Sequence, residues 1–116
     1  MNVNRVLLVG RITREPELRH TSSGVPVMDL GLAMNEAYTS RDGAPTESTC
    51  FVDVIVWKRQ AEVCAQYLQK GSPVCVEGKL QLDTWQSEKG EKRSRIRIRA
   101  DRVQFMPIPK VETEPA

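Results

Sequence analysis

An all-β fold, a five-stranded barrel with one α-helix between the third and fourth strands, is what this sequence predicts. Three observations lead there. Five separate segments carry apolar residues in strand patterns. In such segments successive side chains point to opposite faces. One segment alone, Arg59 to Lys70, carries the spacing of a buried helical stripe. It falls between the third strand and the fourth.

The first strand is read over Asn4 to Ile12. Its centre, Val6-Leu-Leu-Val9, is continuously apolar, which suits a strand buried on both sides. A polar turn punctuated by Pro16 and Gly24 follows. The second strand, Val25 to Tyr38, puts Met28, Leu30, Leu32 and Met34 on one face. A flexible polar loop is expected over Thr39 to Thr49. The third strand, Cys50 to Trp57, points Val52, Val54 and Val56 one way and Phe51, Asp53, Ile55 and Trp57 the other. In the helix Ala61, Cys64, Ala65 and Leu68 recur at i, i+3, i+4 and i+7. Gly71 is read as its stop. The fourth strand covers Pro73 to Trp85, with Lys79, Gln81, Asp83 and Trp85 opposite Leu80 and Leu82. Gln86 to Glu91 is a charged hairpin loop, and Lys92 to Phe105 the fifth strand. Gly10 and Gly78 are expected to permit the strong bends of a small barrel. This order is the plan of the OB-fold. An SH3-like barrel usually lacks a full three-turn helix at that point.

The 116 residues suit one domain, placed at 1–106, with a short flexible tail at 107–116. Pro107 and Pro109 end regular structure, and Val111 to Ala116 is read as disordered. No apolar run approaches the roughly 20 residues of a membrane helix, and no signal-peptide pattern opens the chain. Cys50, Cys64 and Cys75 are odd in number and form no CxxC pair, so neither a zinc site nor a disulfide framework is expected. Free thiols suit a reducing compartment, and a cytoplasmic, nucleoid-associated location is expected. With a single histidine, His20, and no P-loop, GxGxxG or deaminase motif, no enzyme is read here, and no metal or cofactor.

Net charge is only +2, but its distribution is uneven. From Lys79 to Arg102 the chain carries eight basic and four acidic residues. In the fifth strand Arg95, Arg97 and Arg99 alternate with Ile96 and Ile98. The isoleucines are expected in the core and the arginines in a row outside, where like charges repel unless a polyanion neutralises them. Four of the six aromatic residues, Tyr38, Phe51, Trp57 and Trp85, lie on the non-core faces or at strand ends. Rings that stack bases beside cations that hold phosphates are what binding of single-stranded nucleic acid requires. The candidate binding set is Tyr38, Phe51, Trp57 and Trp85 with Arg11, Arg41, Arg59, Lys79, Arg93, Arg95, Arg97 and Arg99.

Several stretches resemble the bacterial single-stranded DNA-binding proteins of the SSB family. They are Asn4-Arg-Val-Leu-Leu-Val-Gly-Arg11, Glu15-Pro-Glu-Leu-Arg19 with Thr21-Ser-Ser-Gly24, Ala61-Glu-Val-Cys-Ala-Gln-Tyr-Leu-Gln-Lys-Gly-Ser72, Val76-Glu-Gly-Lys-Leu80 and Thr84-Trp85. Their order and spacing run over nearly all of residues 1–106. The resemblance implies an OB-fold that assembles with itself, usually as a homotetramer, and wraps single-stranded DNA without sequence preference. It also implies base stacking at Tyr38, Phe51, Trp57 and Trp85.

The chain departs from the family pattern in places. Val52 stands where a histidine is frequent, Asp53 where a basic residue is frequent, and Gln81, Asp83 and Thr84 where basic residues often precede the tryptophan. The arginine row is expected to replace that charge. The sequence ends at Glu112-Thr-Glu-Pro-Ala116 without the acidic Pro-Phe tip that recruits replication and repair proteins, so a tail-less or truncated member is read. The alternative is a primosomal replication-restart protein, a dimeric OB relative acting as an assembly adaptor. A third reading is an OB module whose aromatic face is a protein interface. DNA and RNA are not separated by these features, because stacking and phosphate contacts barely sense the 2′-hydroxyl.

Overall fold

A computed structural model describes residues 1–106. The tail expected at 107–116 lies outside the described residues. The elements run β1 (Val6–Ile12), β2 (Glu17–His20), β3 (Pro26–Thr39), β4 (Pro45–Trp57), α1 (Lys58–Tyr67), β5 (Pro73–Gln86) and β6 (Lys92–Phe105). The strands follow the order β1-β5-β6-β4-β3-β2, and β1 also pairs with β3. Five strands thereby close into a barrel, with α1 between β4 and β5, and the short β2 adds an edge beside β3. The sequence reading assigned β2 to a turn, because its four residues carry no apolar alternation.

The core is what the alternation predicts. Met28, Leu30 and Leu32 from β3, Val54 and Val56 from β4, Val74 and Val76 from β5 and Ile98 from β6 are all buried. The helix adds Ala61, Cys64 and Leu68 to the same cluster. Ala65, expected in that stripe, is exposed. The helix ends at Tyr67, earlier than predicted, and Leu68 is already extended with its N–H donating to the Cys64 carbonyl. Gly71 takes a left-handed φ of 91° in the turn that follows, rather than capping the helix directly.

Two expectations about strands change. β1 is buried on one face only: Leu7 is 67% exposed and Val9 54%. Nothing among the described residues covers that side. The loop after Tyr38 is also much shorter than expected. β3 and β4 pair continuously from Val27↔Trp57 to Thr39↔Pro45, leaving only Ser40–Ala44 as the connection. That turn is ordered by hydrogen bonds. The Ser40 N–H donates to the Ala44 carbonyl at 3.0 Å, and the Ala44 N–H donates to Asp42 Oδ1 at 3.1 Å. The hydroxyl of Ser40 and the Ala44 N–H hold the Asp42 carboxyl below the usual carboxylate range.

Two glycines close the barrel by letting backbones approach. A Cβ on Gly10 would strike the Ala33 carbonyl, and one on Gly78 the Arg99 carbonyl. Neither has a positive φ. Close approach, not backbone freedom, is their reason. Gly78 also sits at the one register shift between β5 and β6.

Candidate nucleic-acid interface

Past Gly78, β5 and β6 leave the barrel as a two-stranded ribbon. Its pairs run Lys79↔Arg99, Gln81↔Arg97, Asp83↔Arg95 and Trp85↔Arg93. All of these side chains share the outward face, as their parity predicts. β4 joins β6 in parallel at Val54↔Ile98 and Ile55↔Arg99, so Phe51, Asp53, Ile55 and Trp57 continue the same face. β3 extends it with Asp29 and Gly31, the register partners of Ile55 and Asp53.

Phe51 is 71% exposed and Trp85 47%; Trp57 is half-buried. These three rings lie on one face. Tyr38 is exposed but takes the opposite parity on β3, that of Met28 and Leu30, on the far part of the β3–β4 hairpin. The structure does not bring it to the row of rings. Trp57 forms part of a shallow cavity of about 310 Å³ with Lys58, Arg59, Gln60 and Arg99. Lys58 has a φ of 61°, a left-handed value unusual for a non-glycine residue, where β4 turns sharply into the helix.

The arginine row is not uniform. Arg95 and Arg99 are exposed. The Arg97 side chain is only 12% exposed. Its Nε donates to Asp83 Oδ2 at 2.5 Å, and its Nη1 to Asp29 Oδ1 at 3.2 Å. Arg19 of β2 donates to Asp29 Oδ2 at 2.7 Å, and Gln81 Nε2 to Asp83 Oδ1 at 2.8 Å. An ionic chain therefore crosses the face from β2 to β5: Arg19, Asp29, Arg97, Asp83. Ile55, beside Asp29 on the intervening strand, is buried on this outer face. Hydrogen bonds from Gln81 and Arg97, helped by the charges of Arg97 and Arg95, hold the Asp83 carboxyl below the usual carboxylate range. Arg97 thus corrects the expectation of an open cation replacing lost charge, because two carboxylates occupy it. Ile96 is corrected as well. It is 63% exposed, because the ribbon carries it beyond the core, while Ile98 is buried as expected.

The other candidate cations stay on the surface. Arg11, Arg41 and Lys79 are exposed. Arg11 Nη1 donates to the Gly71 carbonyl at 3.2 Å and sits opposite Ala33, which in turn faces Phe51. Arg59 pairs with Glu62 at 3.6 Å, and Arg93 with Glu91 at 2.8 Å, both in water, where such pairs yield readily. Arg14 was missed by the sequence reading. Its guanidinium lies over Gly31, which has no side chain to obstruct it, and pairs with Asp53 at 3.6 Å beside Phe51. No periodicity could have flagged a residue in a turn. Among the described residues, no group of three or more His, Cys, Asp or Glu could hold a metal ion.

The profile of the single-strand binding protein family matches residues 3–106. The chain belongs to that family. The single-stranded DNA-binding protein of Helicobacter hepaticus is 43% identical over 103 residues, 89% of this chain and 61% of that protein. The wild-type single-stranded DNA-binding protein of Thermus aquaticus superposes with a TM-score of 0.79 at 34% identity, over 90% of this chain and 50% of that one. The SSB of Plasmodium falciparum, solved in complex with ssDNA, superposes with a TM-score of 0.82 at 23% identity and covers 92% of this chain and 97% of its own. That likeness establishes the shared fold. The chain spans about 58–64% of the length of curated SSB relatives such as those of the Helicobacter species and Wolinella succinogenes. No helix among the described residues is long and apolar enough to cross a membrane.

Proposed function

We propose that this SSB-family domain, residues 1–106, binds single-stranded DNA without sequence specificity and protects it during replication, recombination and repair. It is a binder, not an enzyme. The observation that carries this reading is the single face shared by Phe51, Trp57 and Trp85 with Arg95, Arg99 and Lys79. Bases stack on the rings, and the cations neutralise phosphates and release counterions. Arg11, Arg14, Arg41, Arg59, Lys58 and Arg93 extend the cationic margin, and Tyr38 adds a ring at the hairpin end. A cytoplasmic, nucleoid-associated place goes with this role.

Self-assembly, as a homotetramer, is part of the same proposal. Its support is the apolar surface the described residues leave open, at Leu7 and Val9 on β1 and at Leu80, Leu82 and Ile96 on the inner side of the ribbon.

The test is tryptophan fluorescence during titration with oligo-dT, repeated with duplex DNA and across salt concentrations. Quenching by the single strand alone, weakened by salt, is expected. Absence of quenching by the single strand overturns the reading.

A further inference from the structure

Phe51 and Arg14 line the same small cleft, of about 160 Å³, with Thr13, Gly31 and Asp53 between them. That is room for a single nucleobase. The Thr13 N–H donates to the Gly31 carbonyl at 2.9 Å, which pins the turn after β1 over β3. Arg14, the next residue, then lays its guanidinium where a side chain at position 31 would be. A Cβ on Gly31 would strike its Nη1.

The spacing of the two walls follows from the register. Gly31 lies opposite Asp53, and Ala33 opposite Phe51. A guanidinium over Gly31 is therefore offset from Phe51 by two residues along antiparallel strands, about 6.8 Å. Stacked bases lie about 3.4 Å apart, so a base with a planar group on each side needs about 6.8 Å between them. Arg14 makes its contacts through its nitrogens. Nη1 rests on Gly31, and Nη2 pairs with Asp53 Oδ1 at 3.6 Å, with both side chains about half exposed. Such a pair is weak in water. It engages the edge of the guanidinium and leaves its faces free for stacking, which a lysine ammonium cannot offer.

We propose, resting on the single-strand reading, that Arg14 is the second wall of the Phe51 base site. A base entering the cleft has the Phe51 ring on one face and the Arg14 guanidinium on the other. Every base has two such faces, so the contact holds however the base is turned in its own plane, and binding stays independent of sequence. Arg14 is thereby a base contact rather than one more cation of the margin, and Gly31 leaves it the space.

The experiment is a double-mutant cycle on affinity for oligo-dT, read by tryptophan quenching at several salt concentrations. It compares the unaltered protein, Arg14→Lys, Phe51→Ala and the double variant, all of which keep Trp57 and Trp85 as the signal. Lysine keeps the charge and loses the planar face. Arg14→Lys is expected to weaken binding about fivefold, the size of one exposed cation–π contact, with an unchanged salt slope. In the Phe51→Ala background the same substitution is expected to weaken it less than about twofold, because residues that share a partner are not additive. Full affinity in Arg14→Lys overturns the proposal, and so does an equal loss in both backgrounds. A loss accompanied by a lower salt slope assigns Arg14 to a phosphate and overturns it too. In each of these cases the unaltered protein still quenches, and the single-strand reading stands. No quenching of the unaltered protein overturns both.

Discussion

Arg95 and Arg97 are two residues apart on one face of β6, yet substituting them should have opposite consequences. Each phosphate neutralised on a single strand contributes about 0.7 to the slope of log affinity against log salt. Arg95 is exposed and is expected to make such a contact. Arg95→Gln should lower that slope by about 0.7 per protomer. A fourfold rise in salt would then weaken the variant about 2.6-fold less than the unaltered protein, per site. Arg97 is 12% exposed and bound by Asp29 and Asp83. Its charge is already neutralised inside the protein, so Arg97→Gln should leave the slope unchanged. It should instead reduce stability, by about 1.5 kcal/mol for the bond to Asp29 alone, since that carboxylate keeps Arg19. The assay is fluorescence titration at four or more salt concentrations beside thermal melts of both variants. An Arg97→Gln slope reduced as much as that of Arg95→Gln would refute the reasoning, because it would mean phosphate displaces the carboxylates.

Phe51→Ala and Trp85→Ala should each weaken oligo-dT binding by about 1–3 kcal/mol with little change in thermal midpoint, since both rings are exposed; a large fall in the midpoint would place them in packing instead. Burial pushes the Cys64 thiol up from 9.0 to about 11, so the unfolded chain loses that proton first as pH rises. Its contribution is intact below pH 9.0 and disappears as pH climbs to about 11, a loss of about 2–3 kcal/mol visible in urea midpoints and missing from Cys64→Ala. Gly78→Ala forces β5 away from the Arg99 backbone and should cost about 2 kcal/mol, lowering the melting temperature by roughly 10 °C. Lys58→Gly relieves a left-handed φ of 61° and should raise the melting temperature by about 4–6 °C; a decrease would show that the lysine stem packs usefully.

Much of the barrel was legible because alternation is a local signal. Met28, Leu30 and Leu32, and likewise Val54 and Val56, declare a buried face within a few residues. The same parity placed Phe51, Trp57 and Trp85 on the outward side. Features that depend on register between distant strands were not legible. Nothing near Asp29 or Asp83 announces that β6 will deliver Arg97 between them, 68 residues from one and 14 from the other. Ile96 misled because alternation tells which way a side chain points, not whether the core extends that far. β1 misled for the reverse reason: Leu7 and Val9 are apolar as a buried face would be, yet the described residues supply no cover for them.

The barrel is closed by two narrow seams. β1 meets β3 at Arg11↔Ala33 and Ile12↔Leu32, and β4 meets β6 at Val54↔Ile98 and Ile55↔Arg99. The two long hairpins between them are local and can zip from their turns. The seams join residues tens of positions apart, and closing loops of that size costs chain entropy before any contact repays it. Folding time is therefore set at the seams and at the β1–β5 pairing, whose partners, from Val6↔Gly78 to Arg11↔Pro73, lie farther apart in sequence still. Until they shut, a newly made chain carries two finished hairpins with bare edges, the interval in which a neighbouring copy could pair with the wrong strand.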